Sequence, residues 1–322
     1  MPLTKATYSM IDAPVLNFKD YGAVGDGVAN DTDAWLAFKS ACVTQGAKGV
    51  VPAGIYLIDP FQFTQADAGL VLEGSSFNFA SPSPDAPGPG FFGGPIAVFR
   101  ARSASAKFVD LHTAYNLQIS NIAFDGNQFS DAVFYFDGTV NNTQLNFSYC
   151  EFYGATPTTG IVHHYAGTIG GDHCYFTNCF LYQFHNYQSN TIKAANCILN
   201  QNSNAFIINY TNCYFAQADV LIKYTAGSCN LYGCTGILPG SKMIEIVNGC
   251  QPFICEYWYY EGADNIPFIS QVQTAGATSY YPITIINPTI NGVNCGITLT
   301  CQQPFNIYGG FIGGNIAVNP VA

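Results

Sequence analysis

The chain has 322 residues, of which 9% are charged and 15% are aromatic, and its formal net charge at pH 7 is −10. Ordinary soluble domains are about one quarter charged. Because only 10 residues are Lys or Arg, the chain lacks the clustered positive charge that nucleic acid or an anionic membrane surface requires. We therefore expect neither partner.

The N-terminal segment, residues 1–14, has no apolar core and no cleavage site of a signal peptide. No apolar run in the chain approaches the roughly 18 residues that a membrane-spanning helix needs. We expect a soluble protein that carries no export signal of its own.

Residues 15–58 indicate a strand, an Asp/Gly-rich loop, a helix and a further strand. Trp35, Phe38 and Cys42 follow helical spacing and would form one apolar face. Such a helix can cover the open end of a stacked-strand core. The candidates for the residue that starts the helix are Asn30, Asp31 and Thr32.

The run from Val15 to Ile58 contains KDYGAVGDGVANDTDAW and then GVVPAGIYLI. It resembles the N-terminal signature of the pectate-lyase-like right-handed parallel β-helix superfamily. The preceding ATYSMIDAPV is similar to the start of phage and prophage tailspike-type members. The resemblance implies a right-handed β-helix with an N-terminal capping helix, and often a homotrimer on a virion that binds or cleaves a host surface polysaccharide. It implies no particular reaction, because one fold hosts many functions.

The resemblance and the sequence together predict a single all-β domain. Its predicted parts are a lead-in at 1–14 that attaches to other virion proteins, the signature strand and capping helix at 15–60, the β-helix at 61–316 and a tail at 317–322. Residues 75–106 are rich in Pro, Gly and Ser and predict a long lateral loop. Arg100 and Arg102 lie at the end of this loop.

A short repeat runs from residue 116 to the C-terminus, at intervals of roughly 16 to 31 residues, which is the period of a solenoid. Apolar residues alternate before and after one anchor position, so a strand enters, turns and leaves. The anchor is mostly Asn or Gly, the residues that adopt left-handed backbone at least cost. Stacking such turns predicts a parallel β-helix of about 10 to 12 coils with an Asn ladder. The anchors are Asn121, Tyr149, Asn178, Asn196, Asn212, Gly233, Glu256, Asn287 and Gly309.

Cysteine follows the anchor in five copies of the repeat. This position faces inward, so the five thiols would form one packed column of small apolar side chains. Packed thiols are favoured over a disulfide framework, which belongs to small chains without a core. The five residues are Cys150, Cys179, Cys197, Cys213 and Cys234.

Acidic residues on the outward strand face are the candidates for catalysis. Asp125 and Glu151 project outward on adjacent coils, with carboxyl groups on the order of 6–9 Å apart, which suits inverting glycoside hydrolysis. The alternative is that they are ordinary surface carboxylates. Weaker candidates are Asp172, Glu256 and Glu261.

The same outward face is rich in aromatic residues. These rings can bind sugars, pack against other copies in a trimer, or be covered by lateral loops. The sequence leaves these alternatives open. The predicted substrate-binding residues are Tyr153, Tyr182, Tyr214, Trp258 and Tyr260, with Tyr259 beside them.

No metal or other cofactor is predicted. His163, His164, Asp172, His173 and Cys174 are close in sequence, but their spacing matches no zinc pattern. The spacing of the acidic residues in the first loop matches no calcium loop and favours a turn and a helix start. These residues are Asp26, Asp31 and Asp33.

Two functions follow from this sequence. The first is a virion-associated tailspike-type protein that recognises a host surface polysaccharide and, if it is an enzyme, hydrolyses it. Hydrolysis is favoured over β-elimination, because few Lys or Arg residues are available to neutralise a uronate. The alternative is a non-enzymatic structural or decoration protein, a spacer or adhesin, whose aromatic faces assemble the subunits.

Overall fold

The computed structural model describes residues 14–75, 97–183, 194–203, 205, 207–247, 252–260, 264–272, 281–299 and 304–318. Within these ranges the chain has one α-helix, α1 Thr32–Gln45, and 3-10 turns at Phe18–Tyr21 and Gln65–Asp67. Everything else that is regular is strand. No helix in the described ranges has the length and apolar character needed to cross a membrane.

The strands are short and follow one another along the whole chain. The first half contains β1 Val15–Asn17, β2 Asp26–Asn30, β3 Lys48–Val51, β4 Gly54–Ile58, β5 Phe61–Phe63, β6 Val71–Gly74, β7 Ala97–Ala101, β8 Ser105–Leu111, β9 Tyr115–Ser120, β10 Ile122–Phe136, β11 Thr143–Ser148, β12 Glu151–Ala155, β13 Val162–Gly167, β14 Asp172–Thr177, β15 Phe180–Tyr182 and β16 Ala194–Asn202. The second half contains β17 Ile208–Thr211, β18 Tyr214–Ala216, β19 Ala218–Tyr224, β20 Cys229–Tyr232, β21 Thr235–Ile237, β22 Lys242–Val247, β23 Phe253–Glu256, β24 Tyr259–Tyr260, β25 Ile269–Val272, β26 Ile283–Ile286, β27 Thr289–Ile290, β28 Ile297–Leu299, β29 Phe305–Tyr308, β30 Phe311–Ile312 and β31 Ile316–Val318.

These strands form three parallel stacks. The first stack is an 11-stranded sheet in the order β1-β3-β6-β9-β11-β14-β17-β20-β23-β26-β29. The second runs through β4, β7, β10, β12 and β15 to β30, and the third through β5, β8, β10, β13 and β16 to β31. The first coil contributes β1 to the first stack and β2, which pairs with β4, to the second, and each later coil contributes to all three stacks. The described part of the molecule is therefore a solenoid, as the repeat predicts. The 11 strands of the first stack fall within the predicted number of coils.

The turn from the first stack to the second is held by a ladder of backbone hydrogen bonds. In eight coils its residue has a left-handed φ of 46 to 63°. The N–H of this residue donates to the carbonyl oxygen before the same turn in the next coil, at 2.8 to 3.1 Å, in seven successive pairs. The turn residues are Asn121, Tyr149, Asn178, Asn212, Gly233, Tyr257, Asn287 and Gly309.

Two of the predicted anchors are wrong. Asn196 lies in β16 of the third stack, opposite Val220, because the apolar alternation around it belongs to a different strand. In the coil of β23 the turn residue is Tyr257 rather than Glu256. A continuous Asn ladder therefore does not form, since only Asn178 and Asn212 are Asn neighbours in consecutive coils.

The cysteine column has four members instead of the five predicted. Cys150, Cys179, Cys213 and Cys234 follow the turn residue in consecutive coils, and each Sγ donates to a carbonyl oxygen of the coil before it at 3.2 to 3.5 Å. Cys197 is buried elsewhere, between Leu181 and Ala216. All ten cysteines in the described ranges are buried free thiols, and burial raises the pKa of Cys150 and Cys213.

The core of the solenoid is a continuous column of apolar side chains, because each inward position meets the same position one coil on. Neighbouring aromatic rings therefore stack. Phe124 lies 5.7 Å from Phe152 with 7° between ring planes, and Phe176 lies 4.7 Å from Tyr210 at 13°. Offset stacking of this kind adds to the stabilisation that burial gives.

Helix α1 presents the apolar face that the sequence predicts. Trp35, Phe38 and Cys42 are buried, and the Trp35 ring lies 4.9 Å from Phe99 and 5.1 Å from Phe61. The helix therefore packs on the aromatic core of the first coils.

The acidic loop before α1 uses its carboxylates in turns. Asp26 Oδ1 accepts hydrogen bonds from the N–H groups of Val28 and Ala29, at 2.8 and 2.7 Å. Asp31 occupies the residue before α1, but its carboxylate accepts from Val24 at 2.7 Å instead of from the helix. Asn30 Oδ1 accepts from the N–H of Thr32 at 3.1 Å.

The lateral loop predicted at 75–106 extends too far. Residues 97–101 form β7 and pair with β4 and β10, and β8 begins at Ser105. The Pro and Gly content of the neighbouring residues hid the apolar run of β7. Residues 76–96 lie outside the described residues, as do 1–13 and 319–322 of the predicted lead-in and tail.

Candidate functional site

The outward face of the second stack contains the predicted catalytic pair. Two columns of side chains run along this face, each member opposite the next in the strand register. One column is Leu57, Arg100, Asp125, Tyr153, Tyr182, Ala216 and Ile237. The other is Ile55, Val98, Ala123, Glu151, Phe180, Tyr214 and Thr235.

Asp125 is fully buried and is part of an ion pair. Arg100 Nε donates to its Oδ2 at 2.7 Å, and the Asn127 N–H donates to Oδ1 at 2.7 Å. The Arg100 side chain is itself 15% exposed. The carboxylate is thus neutralised and oriented by two neighbours.

Glu151 is also buried, with 1% of its surface exposed. Its Oε2 accepts a hydrogen bond from the hydroxyl of Tyr182 at 2.9 Å. Glu151 pairs with Ala123, two residues before Asp125, so the two acids are diagonal neighbours with Cα atoms about 7–8 Å apart. The structure therefore brings the predicted pair onto one face, but below the surface.

The predicted substrate-binding tyrosines of this face are covered within the chain. Tyr153 and Tyr182 are each 4% exposed, and their rings stack at 5.2 Å with 9° between planes. Tyr214 is half-buried, 5.8 Å from Phe180, and burial raises its pKa. Tyr153 and Tyr182 therefore offer no exposed ring face to a sugar.

Trp258 and Tyr260 were predicted to face outward, and this is wrong. Both belong to the core and are 1% and 0% exposed, and Trp258 stacks on Phe215 at 5.8 Å. The turn at Tyr257 is one residue later than the assumed anchor, which exchanges inward and outward positions in this coil. Tyr259 is the outward residue, 38% exposed.

The weaker acidic candidates do not join this pair. Asp172 begins β14 and Glu256 ends β23, both in the first stack. Glu261 lies outside the described residues. His163 and His164 are consecutive in β13 and therefore point to opposite faces.

The third stack has the column richest in ionisable groups, and the sequence did not predict it. Lys223 and Lys242 both pair with Glu245 in this region, with Lys223 Nζ 2.9 Å from Oε2. Burial alone would raise the pKa of Glu245, but hydrogen bonds from the two lysines hold it below its ordinary value. The outward column is Gln62, Asp110, Tyr135, His163, Leu199, Lys223, Glu245, Ser270, Thr298 and Ala317.

At the N-terminal end of this column lies an acid–histidine cluster, formed by Asp110, His112 and Asp137. One ligand-type atom from each lies within 4.8 Å of the others, and His112 Nδ1 is 3.2 Å from Asp137 Oδ2. Lys107 Nζ lies 2.5 Å from Asp110 Oδ2. Burial alone would raise the pKa of Asp137, but hydrogen bonds from Thr139 and His112 hold it below its ordinary value.

Beside this cluster three rings form an aromatic platform, Tyr135, His163 and Tyr165. The Tyr135 ring lies 5.4 Å from both of the other rings, and Tyr165 is 41% exposed. His163 Nε2 is 2.9 Å from Gln201 Oε1. Burial and nearby carboxylates raise the pKa of Tyr135, so its hydroxyl stays protonated.

Sequence reasoning missed this face because the repeat was aligned on the turn after the first stack. The third stack follows that turn at a variable distance, so its columns could not be projected from the anchors. The signal that was available is the alternation in FVDLH at 108–112 and VFYFD at 133–137, where an outward acid or ring alternates with apolar residues.

No protein-family model and no curated protein sequence matches this chain. Solved structures do match it. The catalytic unit of a thermostable GH87 α-1,3-glucanase from Streptomyces thermodiastaticus strain HF3-3 has a TM-score of 0.50 and 11% identity, covering 97% of this chain and 69% of that one. The Dettilon tailspike protein has a TM-score of 0.50 and 14% identity, covering 94% and 68%. The chain has the right-handed parallel β-helix fold.

At 11 to 14% identity the likeness establishes the fold alone. The coverage shows that the likeness extends over nearly the whole β-helix. The chemistry of this β-helix must therefore be read from its own outward faces. Of the two described above, the third stack has the more exposed ionisable and aromatic groups.

Proposed function

We propose that this β-helix is a tailspike-type protein that binds a cell-surface polysaccharide on the outward face of its third stack. The observation that carries the proposal is the aromatic platform next to the acid–histidine cluster. The apolar face of a sugar ring can pack on an exposed ring such as Tyr165. Its hydroxyl groups can bond to carboxylate, imidazole and amide groups at the side.

The net charge of the chain narrows the class of glycan that it can bind. With a net charge of −10, the surface repels an acidic polymer, which favours a neutral or weakly charged glycan. The fold supports the class of ligand, since it is shared with a protein named as a tailspike and one named as an α-1,3-glucanase.

The finer parts of the proposal come from the resemblance of residues 15–58. They are a single domain whose open end is capped by α1, a homotrimer, and attachment of residues 1–14 to other virion proteins. The packing of Trp35 on Phe99 supports the capping role of α1.

Calorimetric titration of purified host surface polysaccharide into the protein tests the binding face. Tyr165→Ala should weaken binding at least tenfold, a loss of about 1.4 kcal/mol. The matched control is Tyr308→Ala, which removes a 58% exposed tyrosine from the first stack and should leave affinity unchanged. Equal losses in both variants, or the absence of binding to any surface glycan, would refute the proposal.

The second candidate function is hydrolysis by Asp125 and Glu151. Their diagonal placement on adjacent strands favours it, because two acids at such neighbouring positions can hold their carboxyl groups about 6.5–9.5 Å apart, as inverting enzymes require. Their burial means that a glycan must gain access to this face before either carboxylate can act.

Two assays distinguish hydrolysis from β-elimination. Both reactions release reducing ends, but only β-elimination produces unsaturated uronates, which absorb at about 235 nm. Glu151→Gln and Asp125→Asn should each abolish hydrolysis in variants whose circular dichroism stays native. Cleavage that survives both substitutions contradicts this assignment. Binding without cleavage supports the non-enzymatic spacer or adhesin.

A further inference from the structure

We propose that the acid–histidine cluster binds a divalent transition-metal ion such as Zn²⁺. Its ligands would be one oxygen each from Asp110 and Asp137 and Nδ1 of His112. An imidazole with two carboxylates suits zinc and its neighbours, whereas calcium takes six to eight oxygen ligands. This inference goes beyond the proposed glycan binding and does not require it, although the same carboxylate and imidazole groups border the aromatic platform.

The geometry is close to that of a bound ion. The three ligand atoms lie within 4.8 Å of one another. Ligands at about 2.1 Å from zinc in a tetrahedron are about 3.4 Å apart, so side-chain movements of about 1 Å bring these atoms into place. His112 Nδ1 and Asp137 Oδ2 are already 3.2 Å apart.

A second observation points to a missing ligand. Asp110 Oδ1 is buried and has no hydrogen-bond partner within the described residues, although its side chain is only 3% exposed. The other oxygen, Oδ2, accepts from Gln62 Nε2 at 3.0 Å and pairs with Lys107. A buried carboxylate oxygen without a partner is costly, and a cation in the cluster would satisfy it.

The scaffold holds the ligands in place. Asp110 is the second-last residue of β8, and His112 follows two residues later on the same face. Asp137 comes from the next coil, directly after β10. Its Oδ1 accepts from the N–H and hydroxyl of Thr139 at 2.9 and 2.6 Å, which leaves Oδ2 directed at His112, and such supporting bonds raise metal affinity.

The ion would be reached from solvent. The His112 side chain is 39% exposed and that of Asp137 is 14% exposed, while Asp110 forms the floor. Three protein ligands leave a fourth position for water, as in open zinc sites. The ammonium group of Lys107 opposes a second cation, so the affinity should be weaker than that of closed structural sites.

Calorimetric titration of tag-free, chelator-treated protein with Zn²⁺ tests the site, and Co²⁺ absorbance reports ligand geometry. We expect one ion per chain and at least a tenfold loss of affinity in His112→Ala and in Asp137→Asn. Lys107→Met should strengthen binding, because it removes the competing positive charge. That gain is a result which a merely structural role of the cluster would not produce.

His163→Gln is the matched control, since His163 lies one coil further along the same face but outside the cluster. It should bind Zn²⁺ as the unmodified protein does. A loss in His163→Gln as large as that in His112→Ala would overturn the site, as would unchanged affinity in both ligand variants. Thermal unfolding of each metal-free variant checks that the fold is intact.

Discussion

Arg100 and Arg102 are two residues apart and form two ion pairs of opposite character. Arg100 with Asp125 is buried, at 15% and 0% side-chain exposure, and Arg102 with Asp59 is open to solvent, at 42% and 31%. Removing one partner of a buried pair leaves an uncompensated charge and costs about 3–5 kcal/mol, whereas exposed pairs contribute about 1 kcal/mol or less. The stability lost when either arginine is removed should therefore depend on how deeply its ion pair is buried, and not on the geometry of the hydrogen bonds.

We expect Arg100→Met to lower the free energy of unfolding by about 3 kcal/mol. Arg102→Met should lower it much less, because its ion pair is open to solvent. The second variant is a close control, because Arg102 makes two contacts of 2.9 and 2.7 Å with Asp59 and loses both. Urea unfolding at neutral pH measures both values. Similar losses in the two variants would show that the Asp125 carboxylate is stabilised by other groups.

The sequence was sufficient to place Asp125 and Glu151 on one outward face, because strand alternation after a correctly identified turn fixes the direction of each side chain. It did not identify Arg100 as the partner of Asp125. The two are 25 residues apart and meet only through the pairing of β7 with β10. Because the neighbouring residues are rich in Pro, Gly and Ser, the sequence places Arg100 in a loop instead of in a strand.

At the scale of the element, the turn between the first two stacks is the part most exposed to backbone strain. A residue other than Gly or Asn in the left-handed region costs about 1–2 kcal/mol. Asn178 has a φ of 54° and Tyr257 has the same φ. The coils thus use the favourable residue at some turns and a costly one at others.

We expect Asn178→Ala to lower the free energy of unfolding by about 1 kcal/mol, and Tyr257→Asn to raise it by about 0.5 kcal/mol. Asn146→Ala removes an exposed Asn from the middle of β11 and should change stability by less than about 0.5 kcal/mol. Differential scanning calorimetry of the three variants checks the order. Equal effects at residues 146 and 178 would show that backbone conformation is not the cause.

The same strain explains where the element prediction fails. Asn and Gly announce a left-handed turn, and the turns at Asn121, Asn178, Asn212 and Asn287 are found as predicted. In the coil of β23 neither Glu256 nor Tyr257 carries such a signal, so the turn at Tyr257 was placed one residue early. Because side chains alternate with a period of two, this single shift moved Trp258 and Tyr260 from the core to the surface in the prediction.

For the whole molecule, the first two stacks follow from the repeat and the third does not. The chain between the second and third stacks varies in length, and β10 even passes through both without interruption, pairing with β7 and β12 and then with β8 and β13. The outward column that contains Asp110, Tyr135 and His163 forms only when successive coils stack and their third strands pair. The face with the most accessible chemistry is therefore the one that a local pattern predicts least.

Closure of the coils also places a histidine in the interior. His164 is fully buried and stacks on Phe136 at 4.1 Å, and neither ring nitrogen has a hydrogen-bond partner within the described residues. Burial, with a smaller effect of His163, lowers its pKa from 6.5 to about 3. Between pH 6.5 and about pH 3, His164 binds a proton in the unfolded chain but stays neutral in the folded chain. Stability is therefore complete above about pH 6.5 and falls as the pH drops towards 3.

We expect the free energy of unfolding to fall by as much as about 1.4 kcal/mol per pH unit between pH 6 and pH 4 through this group. His164→Leu should remove that share of the slope, because leucine fills the site and takes up no proton. Carboxylates with lowered pKa, such as Asp59 and Asp137, add their own loss only at still lower pH. Urea unfolding midpoints at four pH values for both proteins measure the slopes, and parallel slopes would mean that His164 already accepts a proton within the fold.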